Sequence, residues 1–148
     1  MGVKLGLEAK LYFCAAGIAG TPQWTELTNV KNVTLNLTKG EADVTTRANN
    51  GWKATAGTLR EGTIEFDMVW DTTDAGFTAL KDAYFGNTPI GIAAMDGPIA
   101  TNGSQGLWAD CMITDFSRDE QLEEAITVKV TAKPTYSTNP PAWKTIPA

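Results

Sequence analysis

The sequence predicts a mainly β protein, an antiparallel β-sandwich or partly closed barrel with one flanking α-helix and a long projecting loop. Three observations lead there. Apolar and polar residues alternate with a period of two in several short segments, as in VTLNLT and GTIEFDMVW, and that is the signature of a strand with one buried face. Helical spacing is convincing only once, at Phe77, Leu80 and Tyr84. A polar, glycine-containing stretch over residues 48–60 separates two good strands and shows no apolar period, whereas compact domains usually connect strands through about 2–6 residues.

The elements follow in order. Residues 8–14 (EAKLYFC) form a first strand, bounded by Gly6 and by the small-residue run Ala15-Ala16-Gly17, and Gly20-Thr21-Pro22 marks a turn. Trp24 and Leu27 anchor an extended segment. Residues 31–38 point Val33, Leu35 and Leu37 one way and Asn32, Thr34, Asn36 and Thr38 the other. Lys39-Gly40 is read as a turn, after which residues 41–47 (EADVTTR) continue as a polar strand, suited to an edge, a ribbon or an interface.

The arm over residues 48–60 opens on Asn49-Asn50-Gly51, types that tolerate positive φ. Trp52 follows at once, and exposed aromatics of this kind are enriched at protein–protein hot spots. Arg47 and Lys53 flank it, and Gly57 and Arg60 complete the candidate inter-subunit loop. The strand over residues 62–70 shares Ile64, Phe66, Met68 and Trp70 on one face. Glu65 and Asp67 stand on the other, where they read as a solvent-lining pair, with no third group or pocket signature to make them a catalytic dyad.

A helix is predicted over residues 72–86. Asp71, Thr72 or Thr73 serves as N-cap, Phe77, Leu80 and Tyr84 form the packing stripe, and Gly86-Asn87 and Pro89 end it. Residues 90–95 form a short strand, 96–106 a loop, and 107–116 an imperfectly alternating strand. After the charged turn RDEQLEE, residues 125–132 alternate strongly. The total is six or seven strands. Residues 1–134 form the β domain, and the tail over 135–148 is expected to be extended, without regular structure, because of its prolines.

Composition narrows the function. The chain has 148 residues, 43% hydrophobic and 20% charged, as in an ordinary globular domain. It has no histidine, which removes Ser-His-Asp and Cys-His nucleophilic machinery and most zinc chemistry. Cys14 and Cys111 stand far apart and outside any metal-ligand spacing, so no metal, cofactor or catalytic residue is assigned, and two buried thiols are expected. No apolar run reaches the ~20 residues of a bilayer span, so no membrane partner is expected. Glu8 and Lys10 interrupt the N-terminal apolar segment, which argues against a signal peptide. The net charge of −5 is uneven. Residues 41–125 hold fifteen acidic and five basic side chains, a poor match to a protein that grips a polyanion.

With these residues in place, the order WTEL, VTLNLTKGEADVTTR, GWKATAGTLREGTIEFDMVWD and the helix GFTALKDAYFGN resembles the major tail tube protein of long-tailed bacteriophages. The resemblance covers residues 24–133, and the N-terminal segment and the proline-rich tail depart from it. It implies a non-enzymatic subunit forming hexameric rings that stack into a tube, with one continuous inner barrel and a long loop bridging subunits. DNA would transit the lumen without tight binding, Glu65 and Asp67 being candidate lumen-facing residues. It further implies tape measure, tail terminator and baseplate or tail-tip partners, residence in the virion tail, and assembly in the bacterial host cytoplasm. Two alternatives stay open: an inner-tube protein of a bacterial contractile injection system, and a β-sandwich carbohydrate-binding module using Trp52 and Trp108.

Overall fold

The structure, a computed structural model, describes residues 3–147. Its strands are β1 (Lys10–Cys14), β2 (Thr25–Glu26), β3 (Val30–Asp43), β4 (Thr55–Val69), β5 (Ile90–Met95), β6 (Gln105–Asp119), β7 (Thr127–Pro134) and β8 (Ala142–Thr145), with one helix, α1 (Ala75–Gly86), between β4 and β5. They form one antiparallel sheet in the order β2-β1-β5-β6-β7-β4-β3, and β8 adds to β6. The two ends of the sheet do not meet, so it is open, as a mainly β antiparallel fold with one helix rather than a closed barrel.

One core gathers residues from almost the whole width of the sheet: Leu11 and Phe13 of β1, Ile64, Phe66 and Met68 of β4, and Val128 and Val130 of β7. Strands so distant in the order share a core only because the sheet curls around α1, whose Phe77, Leu80 and Ala83 fill the hollow. A second cluster lies on the opposite face of β1, β5 and β6, where Tyr12, Ala93, Met95 and Trp108 are packed by Trp24, Ile18 and Ile99. This double coverage explains the imperfect alternation of β6. From Gly106 to Cys111 the strand is buried on both faces, as strands covered twice generally are.

The helix begins later than the sequence suggests. Asp71 is not a cap: its carboxylate accepts the Thr73 N–H at 3.0 Å and the Thr73 hydroxyl at 2.6 Å, closing a turn ahead of the helix. Asp74 is the N-cap, accepting the Phe77 N–H at 2.9 Å. At the other end Asn87 takes the left-handed conformation, φ 54°, and Pro89 follows. Asp74→Ala is expected to lower stability by about 1 kcal/mol, read as a lower urea midpoint with an unchanged slope.

Three further expectations are corrected. Residues 31–47 are not two strands with a turn at Lys39-Gly40; β3 runs unbroken from Val30 to Asp43, and the apparent turn is a register shift between Lys39 and Glu41. Residues 48–60 are not an irregular arm, because Thr55 to Arg60 belong to β4 and pair with β3 out to Asp43↔Thr55. The tail over 135–148 is not devoid of regular structure. β7 stops at Pro134, which leaves the edge of β6 from Gln105 to Trp108 free, and β8 pairs there, Leu107 with Trp143. The alternation of β3 also buries less than its pattern implies. Leu35 packs against the core, but Val33 and Leu37 are exposed.

Candidate inter-subunit surfaces

Beyond Gly62, β4 loses β7 as a neighbour and pairs with β3 alone. Residues 55–63 and their partners therefore form a two-stranded ribbon about 30 Å long at ~3.3 Å per residue. Its end is held by its own hydrogen bonds. The Val44 N–H donates to the Ala54 carbonyl at 3.0 Å, and the Ala54 N–H to Thr45 Oγ1 at 2.8 Å. The Thr46 N–H donates to Asn49 Oδ1 at 2.7 Å, and the Trp52 N–H to the Asn49 carbonyl at 3.1 Å. Asn50 and Gly51 turn the chain with φ of 52° and 82°, the left-handed region open to glycine and tolerated by asparagine. Asp43 accepts from both the hydroxyl and the N–H of Thr45, and these bonds hold its carboxyl below the usual carboxylate range.

This tip presents Trp52 outward at 80% exposure. The indole does not fold back onto its own domain. Arg47 and Lys53 are exposed beside it, and no acidic side chain lies between residues 44 and 54. Asn49 is half-buried because its side chain and carbonyl tie the turn. Gly57 and Arg60 lie away from the tip, within the paired ribbon, opposite Glu41 and Lys39.

The outer face of β3, β4, β7 and β6 is polar. Register brings Thr34, Glu65, Thr131 and Asp115 into one row and Lys31, Asp67, Lys129 and Ser117 into the next. Glu65 and Asp67 are half-buried and point away from the core that holds Ile64, Phe66 and Met68. Glu61 and Asp119 share that face, so five carboxylates stand there against Lys31, Lys129 and Lys133.

The helix residues divide. Phe77 and Leu80 are buried, Phe77 meeting Trp70 edge-on at 4.7 Å, while Tyr84 stacks on Phe116 at 6.1 Å and stays 39% exposed. Arg118 lies over the Trp70 ring at 5.1 Å. Trp52 and Trp108 make no common platform. Trp108 is buried against Trp24 at 5.1 Å and donates its indole N–H to Met95 Sδ at 3.4 Å, so the carbohydrate-platform alternative loses its second aromatic.

Cys14 and Cys111 are both buried and free. Burial, and secondarily the Asp110 charge, push the Cys111 thiol up to about 12, so it stays protonated and unreactive at neutral pH. Among the described residues no group of three or more metal-ligating side chains converges, and no helix is long and apolar enough to cross a membrane.

One surface escapes sequence reasoning. At the root of the ribbon, Leu37, Gly62, Pro134, Pro141 and Trp143 wall a groove of about 600 Å³. Four separated stretches build it, and its only linear signal is an aromatic residue in a proline-rich tail.

No protein-family model matches the chain, and no curated protein matches it. Solved structures do. A chain from the tail of an empty gene transfer agent particle, determined with C6 symmetry, aligns with a TM-score of 0.71 at 14% identity, covering 97% of this chain and 98% of that one. A chain from the virion of the native gene transfer agent particle aligns at 0.73 and 11% identity, covering 96% and 99%. The SPP1 tail tube subunit aligns at 0.71 and 16% identity, covering 97% and 80%. At these identities the likeness is one of architecture and extends over nearly the full chain: the chain has the fold of tail tube subunits.

Proposed function

We propose that this chain is a structural subunit of a phage-like tail tube, which self-assembles into hexameric rings stacked around a lumen that DNA leaves through. The observation that carries this reading is the unfinished sheet. β3 is 14 residues long and, among the described residues, pairs only with β4, which leaves its outer edge open. Such an edge is a template for another chain unless it is protected. Joining the sheets of six copies edge to edge removes it, as closure into a barrel does. The ribbon then reaches beyond its own subunit with Trp52 at its end. The C6 symmetry of the gene transfer agent tail supports the ring order.

In that arrangement the outer polar face lines the lumen. Glu61, Glu65, Asp67, Asp115 and Asp119 outnumber the lysines beside them, and an acidic wall repels phosphates, letting the polymer slide. No catalytic step is required of any residue. The partners of this reading are copies of the same chain, a tape measure protein in the lumen, a tail terminator and a baseplate or tail-tip complex. Assembly takes place in the host cytoplasm and the product resides in the virion tail. Negative-stain electron microscopy of the purified protein is expected to show rings or tubes. A monodisperse monomer at high concentration overturns the proposal.

A further inference from the structure

The groove at the ribbon's root is apolar inside and basic at its rim. Leu37 and Trp143 are 54% and 56% exposed, and the Trp143 indole is oriented by a bond from its N–H to Gln105 Oε1 at 3.0 Å. Lys39 and Arg60 stand on the same face as Leu37 and Gly62, while Lys133 and Glu61 border the groove from the outer face. Both Lys39 and Arg60 are exposed, and neither forms an ion pair among the described residues.

The opposite end of the same ladder carries the complement. There β6 turns into β7 through residues 120–126, and Leu122 in that loop is 100% exposed. Glu120, Glu123 and Glu124 flank it in sequence. Among the described residues, of these only Glu120 has a cation of its own, Arg118 at 3.7 Å. A fully exposed aliphatic side chain in an acidic loop stands at one end, and an apolar groove beside Lys39 and Arg60 at the other.

The strand register separates them. The loop adjoins the Val69↔Thr127 pair, whereas the groove lies beside Gly62 and Pro134, beyond Ile64↔Ala132. Seven residues of strand put about 23 Å between the two ends. No chain can therefore place its own Leu122 in its own groove.

We infer that the groove receives the Leu122 loop of a second copy of this chain, Leu122 entering between Leu37 and Trp143 while Glu123 and Glu124 meet Lys39 and Arg60. The inference rests on the self-assembly reading and names the surfaces that join. Because plug and socket are different surfaces at opposite ends of the subunit, copies stacked in one direction repeat the contact head to tail. Its charged rim makes it weaken with salt.

The test is a chain carrying Leu122→Cys and Leu37→Cys together. The native Cys14 and Cys111 are buried and do not compete. Mild oxidation of assembled material is expected to give a ladder of covalent multimers on a non-reducing gel, with no ladder from either single variant. Independently, Glu123→Lys with Glu124→Lys is expected to raise the concentration needed for assembly at least tenfold, and adding Lys39→Glu with Arg60→Glu to restore it. Tubes that give no ladder, or a charge reversal that leaves assembly unchanged, overturn this contact while the tube reading stands. A parent chain that stays monomeric at high concentration overturns both.

Discussion

A chain in which residues 44–54 are replaced by a two-residue Asn-Gly turn is expected to form no tubes while melting at nearly the parent temperature. Asp43 and Thr55 are directly paired, so the shortened ribbon can close through a type I′ turn, whose twist suits a hairpin and for which Asn-Gly is the preferred pair. The deleted residues contribute nothing to either buried cluster, so domain stability has little to lose. What disappears is the ordered tip, with Trp52, Arg47 and Lys53 held outward. Trp52→Ala alone is the milder form of the same experiment. A hot-spot aromatic contributes on the order of 2 kcal/mol or more, so the concentration needed for assembly is expected to rise roughly thirtyfold. Normal tubes from the shortened chain, seen by electron microscopy, would remove the ribbon from the assembly mechanism.

Phe66→Ala is expected to cost the isolated subunit about 3–5 kcal/mol, the range for emptying a buried phenylalanine site. Phe66 is 1% exposed, the largest of the fully buried side chains, and sits between Ile64 and Met68 with Val130 opposite it in the ladder. Domains of this size hold only about 5–15 kcal/mol in total, so the variant loses a large share. The measurement is the urea midpoint below the assembly concentration, because binding to other copies would stabilise the folded state by mass action and hide part of the loss. A midpoint equal to the parent's would mean that β4 is not the centre of the core.

Legibility in the sequence followed burial. Residues 62–70 could be read as a strand because Ile64, Phe66 and Met68 pack on one side while Glu65 and Asp67 face away, and only a one-sided environment writes a period of two. Residues 55–60 belong to the same strand and could not be read, since the ribbon has solvent on both sides and no face to make apolar. β6 was blurred for the opposite reason, with Trp108 and Asp110 buried as well as Ala109 and Cys111. Asp110 is buried because it accepts the Ile18 N–H at 2.8 Å and the Ser137 hydroxyl at 2.6 Å, tying both terminal segments to β6. Those partners lie 92 and 27 residues away, beyond any local pattern. β8 could not be foreseen from its prolines, because its formation depends on where β7 ends.

The projecting stretch was located from sequence because Asn-Asn-Gly-Trp among small polar residues has no place in a core. Its exposure and order came from the structure, which showed a stiff ribbon with the indole held at its tip. The lack of histidine, the mainly β alternation and the position of the helix follow from residue types and their local spacing. The curl of the sheet around Phe77 and Leu80, the open edge of β3, and the meeting of Leu37, Arg60, Pro134 and Trp143 in one groove were decided by tertiary pairing alone. Alternation tells each strand which face to bury. Which strands become neighbours is settled by backbone bonds between distant segments, which almost any residue but proline can make and no short stretch encodes.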